Sequence, residues 1–120
     1  MIKTEWAEKI KRSSIEAGTY RPFFDTVIDE LAQILEIRDA AMAQFVASGN
    51  SPVVTHTNKA GHANIVRNPA LAVINEQNQQ ALAYWRDLGL TPKGYKTLTG
   101  EGIEEKKGGA FEAMLERLDI

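Results

Sequence analysis

The chain has two histidines, His56 and His62, and these are the first residues to test for chemistry. A zinc site needs three or four ligands, usually thiolates, imidazoles or carboxylates. The chain has no cysteine, and no carboxylate clusters near the two imidazoles, so they read as solvated loop side chains. No serine can be grouped with a histidine and an acid into a nucleophilic triad. Neither "KAGH" nor "KKGG" carries the glycine–lysine pattern that cradles phosphate. Glu104–Glu105 followed by Lys106–Lys107 reads as a solvated linker, not as acid–base machinery. The residues therefore imply no catalytic group, no metal and no cofactor.

What remains is electrostatic. Residues 1–21 hold five Lys/Arg against three acids, residues 22–90 four against seven, and residues 91–120 five against six. A weakly basic arm thus precedes an acidic body, within a net charge of −2. Lys9, Lys11, Arg12 and Arg21 in the arm, with Lys59 and Arg67 near turns, are the candidate phosphate contacts. Lys93 and Lys96 form a second group. In a single copy these charges amount to ordinary solvated surface. Repeated around a symmetric oligomer, they would form a ring of positive potential, and phosphate binding strengthens with each phosphate neutralised.

The elements that must carry these charges are mainly helical. Residues 2–17 form a short N-terminal helix, with Thr4 as its cap and Gly18 at its end. From Pro22 to Ser48, Phe24, Ile28, Leu31, Leu35, Met42 and Phe45 recur at spacings of four and three, the signature of an amphipathic helix. Val27 and Ile34 widen that stripe, and Gly49 and Pro52 stop it. Residues 50–68 are the least helical part; "VVTHTN" and "ANIV" on either side of "KAGH" suit a small β-ribbon. Asn68 and Pro69 then read as the cap and first position of a second long helix. Its apolar face is Leu71, Ile74, Ala81, Leu82, Trp85 and Leu88. Gly89 closes it, with Leu90 set to touch Trp85, and Thr91–Pro92 opens a short helix through Leu98. After a glycine-rich connector, Phe111, Met114, Leu115 and Leu118 mark a C-terminal amphipathic helix.

Two long helices joined by a reversing connection pack antiparallel. A constant residue-number sum aligns Phe45 with Leu71, Met42 with Ile74, Leu35 with Ala81, Leu31 with Trp85 and Ile28 with Leu88. The same register sets Arg38 opposite Asn78, the two strongly polar residues of the stripes. They read either as an internal pin of register or as groups facing a subunit interface.

The expected organisation is a helical oligomerisation and DNA-binding domain over residues 1–98, and a connector with its C-terminal helix over residues 99–120. Apolar residues make up 43% and charged residues 25%, as in ordinary globular proteins. No run approaches the roughly 18 apolar residues of a membrane span. "MIKTEWAEKIKR" has no apolar stretch of a secretory signal, and the lack of cysteine suits a reducing cytoplasm.

"GTYRPFFDTVIDELAQIL", "NKAGHANIVRNPAL" and "LGLTPKGYKTL", in that order, resemble the small terminase subunits of tailed phages and prophages, most of all the P27 type. The resemblance spans Gly18 to Leu98. Where many members carry a Ser/Arg-rich turn after Thr91–Pro92, this chain has "KGYKTL", which keeps the charge but not the arginines. The resemblance implies a non-enzymatic packaging factor acting in the host cytoplasm. Such a factor forms a homo-oligomeric ring, recognises double-stranded viral DNA, and modulates the ATPase and nuclease of the large terminase subunit. Phe111, Met114, Leu115 and Leu118 would then either dock on the large subunit or pack on their own core. The competing reading from the residues is a dimeric helical DNA-binding regulator, with "TPKGYKTL" as part of a helix-turn-helix. A third is a purely structural interaction module.

Overall fold

The computed structural model describes residues 1–100. The chain is mainly α: helix α1 (Lys3–Ala17), a 3₁₀ turn (Pro22–Phe24), α2 (Asp25–Ala47), strands β1 (Val53–Thr57) and β2 (Ala63–Arg67), α3 (Pro69–Asp87) and α4 (Pro92–Thr99). The predicted hairpin and ribbon are both present. The predicted C-terminal helix lies outside the described residues.

The helix stops follow from glycine. Gly18, Gly49 and Gly89 all have positive φ, a conformation in which a Cβ would crowd the following carbonyl. At each stop the residue after the glycine donates its N–H back five residues: Thr19 to Ser14, Asn50 to Phe45, Leu90 to Trp85. All three long helices thus end in the same Schellman motif.

The starts differ. Asn68 caps α3 as predicted, its Oδ1 accepting the Ala70 N–H at 3.1 Å, and Thr91 Oγ1 accepts the Gly94 N–H at 3.0 Å to cap α4. Thr4 does not cap α1. The cap position is Ile2, which has no side chain able to accept, and Glu36 of α2 instead accepts the Lys3 N–H at 2.6 Å.

Helix α2 is central and packs on both α1 and α3. The core cluster comprises Ile10 of α1, Ile28, Leu31, Ala32, Ile34 and Leu35 of α2, Ala81 of α3, and Leu88 at its end. Among the described residues it draws nothing from positions 36–80. Polar contacts from α1 reach α2 as far as Asp39 and end there. Among the described residues, one end therefore has three layers of helix and the other only the α2–α3 pair. Two residues predicted to face inward are exposed for this reason: Met42, at 41%, lies beyond the cover of α1, and Leu82 falls on the open side of α3, beside Ala81, which takes the buried place. In the two-layered half the buried positions are the small Ala41 and Ala70, with Ile74.

The ribbon pairs antiparallel with Val53 opposite Arg67 and Thr57 opposite Ala63. The Asn68 N–H donates to the Pro52 carbonyl, extending the same register by one pair into the helix cap.

Candidate nucleic-acid interface

The six candidate cations fall into two groups. Lys9, Lys11 and Arg12 are on the exposed surface of α1. Lys9 Nζ sits 5.2 Å from the Trp6 ring centroid and Lys11 Nζ 5.1 Å from that of Tyr20, so both are held by cation–π contacts. Their surroundings are mixed in sign. Glu5 lies four residues before Lys9, Glu8 four before Arg12 and Glu16 four after it, which places opposite charges side by side on one helix. Asp25, Asp29 and Glu30 are exposed on the adjoining first turns of α2. Arg21 donates to the Tyr20 carbonyl at 2.7 Å, in a turn where Tyr20 also donates to Asp25. The basic arm read from counting charges is thus, in space, a face where positive and negative alternate.

Lys59 and Arg67 belong to the other end, at the tip and the base of the ribbon. Residues 40–75 contain no Asp or Glu, so nothing on the ribbon or beside it in sequence offsets them. The tip is tightly organised. Asn58 Oδ1 accepts the N–H groups of Ala60 and His62, both at 3.0 Å, and Gly61 takes a φ of 83°. These bonds fix where Lys59 is presented. The base is equally fixed: the Asn68 amide donates to Ser48 Oγ at 3.1 Å and to the Ser51 carbonyl at 3.0 Å. Side chains alternate along each strand. Val54 and Val66, paired with each other, are half-buried; on the opposite face Thr55 pairs with Ile65, which is 77% exposed. His56 pairs with Asn64, and both are exposed. Among the described residues no group of three His, Cys, Asp or Glu side chains is placed to hold a metal, and no helix is long and apolar enough to cross a membrane.

Arg38 and Asn78 do face each other, with Arg38 donating to Asn78 Oδ1 at 3.5 Å, a long bond at an exposed position. The stronger contacts of Arg38 lie elsewhere: Asp39 Oδ1 at 3.1 Å and the Trp6 ring at 5.4 Å. Trp6 in turn donates its indole N–H to Asp39 Oδ2 at 2.7 Å. Burial would raise the Asp39 carboxyl, but the bonds from Trp6, Arg38 and the Met1 amino group outweigh it and hold it below its ordinary range. Beside the expected pair, Arg38, Asp39 and Trp6 form a partly exposed cluster that ties α1 to α2. Sequence reasoning missed Asp39 and Trp6 because their bond spans 33 residues.

The family described as "Phage terminase, small subunit" matches residues 3–105, most of the chain and every helix described above. This chain belongs to that family. No curated protein and no solved structure shows a significant match. The terminase match covers α1 through α4, including both groups of cations, and stops before Phe111, Met114, Leu115 and Leu118, which lie outside the described residues.

Proposed function

We propose that this terminase small-subunit family member, of the P27 type, is a ring-forming, non-catalytic DNA-recognition factor. It brings double-stranded viral DNA to the large terminase subunit in the host cytoplasm and modulates that subunit's ATPase and nuclease during packaging. The observation that carries this reading is the two-layered half of the hairpin. There Met42, Val46 and Val73 of the helices and Val53 at the base of the ribbon are exposed, at 36–57%, with no third helix over them among the described residues. Apolar side chains gathered where a layer is missing favour burial against another copy. Family membership supports DNA and the large subunit as the remaining partners. Arg38 and Asn78 lie at the border of this open half, where Arg38 also meets Asp39 and the Trp6 ring of α1.

The dimeric-regulator reading has less support. Helix α4 is eight residues long, and Gly94 in its first turns is pressed so closely on the Arg86 carbonyl that no Cβ fits between them. A recognition helix needs a free face to enter a groove.

Light scattering on the full chain tests the reading. A mass of many protomers at micromolar concentration and moderate salt is expected, and a monomer or dimer refutes the ring. Removing residues 108–120 then tests the tail. If Phe111, Met114, Leu115 and Leu118 dock on the large subunit, assembly and DNA binding survive while stimulation of the ATPase is lost.

A further inference from the structure

We propose that the β1–β2 ribbon is the element that enters duplex DNA, lying in the major groove with Lys59 and Arg67 on phosphates and Ile65 against the base edges. This deepens the DNA-recognition reading above and rests on it.

Four observations converge. The first is charge: the ribbon sits in the stretch from residue 40 to 75 that has no acid, while the cations of α1 share their face with Glu5, Glu8 and Glu16. A polyanion approaching the molecule meets uncompensated positive charge only there and at α4 among the described residues. The second is shape. Two strands about 4.8 Å apart, with their side chains, match a groove roughly 12 Å wide. Among the described residues no helix crosses the ribbon's outer face: Thr55, Thr57, Ala63 and Ile65 are all exposed there, and the small ones permit close approach.

The third observation is the exposed Ile65. An isolated ribbon is marginal in water, and a branched apolar side chain at 77% exposure does nothing for its stability. Against a duplex it has a use, since thymine methyl groups offer apolar contact in the major groove. The fourth is order. The tip is braced by Asn58 and the base by Asn68, so the ribbon is pre-shaped and little entropy is lost on docking.

The test uses the full-length protein and a fluorescein-labelled duplex of mixed sequence, a few helical turns long, titrated at several salt concentrations. Three variants are compared: Lys59→Gln with Arg67→Gln, Ile65→Ser, and Lys9→Gln with Lys11→Gln and Arg12→Gln. The first should reduce the slope of log affinity against log salt by about 0.9 for each phosphate left without its cation, and the α1 variant should reduce it less. Ile65→Ser should weaken binding about threefold or more at every salt concentration while leaving the slope alone. In the wild-type protein, methylation of guanine N7 in the duplex should interfere with binding, a readout that requires no variant to fold. If the wild type binds and the ribbon variants bind equally well, the ribbon inference fails and DNA recognition stands. If the wild type binds no duplex even at low salt, both fail. If the ribbon variants lose mass by light scattering while retained protomers bind DNA normally, the ribbon is a contact between copies and the groove assignment is overturned.

Discussion

Asn68 and Ser48, 20 residues apart in the chain, are joined by a 3.1 Å hydrogen bond from amide to hydroxyl. Ser48 Oγ in turn donates to the Phe45 carbonyl, while the other face of Asn68 caps α3. One buried side chain thus ties the end of α2, the base of the ribbon and the start of α3. Asn68→Ala removes the cap and both amide donations, and should cost about 2–3 kcal/mol. Asn68→Asp keeps an acceptor for Ala70 but turns a carboxylate toward the Ser51 carbonyl, so it should not rescue. Urea unfolding at fixed protein concentration checks both; an Asp variant as stable as the wild type would show that the cap alone matters.

Gly94→Ala should run against helix propensity. In an open helix the change gains up to about 1 kcal/mol. Here the added Cβ meets the Arg86 carbonyl, which already accepts the Gly89 N–H and cannot retreat without opening the end of α3. A loss of about 2 kcal/mol or more is expected from overpacking of this kind. A variant that melts at or above the wild-type temperature would mean α4 can shift without cost.

Asp39 sets an acid limit on stability. Its carboxyl lies below the ordinary 3.8 in the folded protein, because hydrogen bonds from Trp6, Arg38 and the Met1 amino group outweigh the effect of burial. A depressed folded value means the stabilisation is fully present above the unfolded value and disappears as pH falls through the folded one. Asp39→Asn should therefore melt below the wild type at neutral pH, with the gap narrowing below about pH 4. Melting curves that stay equally separated at all pH values would assign the effect of the substitution to packing.

Arg38 and Asn78 should couple weakly. Their bond is long and exposed, so a double-mutant cycle of Arg38→Leu and Asn78→Ala should give about 0.5 kcal/mol or less. Arg38→Leu alone should cost more than Asn78→Ala, since it also removes the interactions with Asp39 and Trp6. A coupling above about 1.5 kcal/mol would restore the pair as the main pin of register.

What the sequence made legible was local. The bounds of α3 are written in Asn68, Pro69 and Gly89, and each acts within a turn of its own position. The stripe of α2 is visible because its period repeats across the segment. Thr4 misled because the true partner of the first turn is Glu36, 33 residues away. Met42 and Leu82 misled because periodicity says which face is apolar, but not how far a third helix extends over it. The candidate site divides in the same way. Lys59 and Arg67 could be picked out one by one, but α1 looked basic only until Glu5, Glu8 and Glu16 were seen to share its surface. Gly94 carried a clue, a glycine inside a short helix where alanine would normally serve better.

The division of the hairpin into a three-layered and a two-layered half makes the molecule thermodynamically uneven. Local opening takes less free energy where fewer apolar side chains are buried, so amide hydrogen exchange should protect residues near Leu31 and Leu35 far longer than those near Val46 and Val73. Anything that holds the outer half closed raises its apparent stability by mass action. The half that opens most readily is also the half that carries the ribbon, so protection there would report directly on whether a neighbour or a duplex is in place.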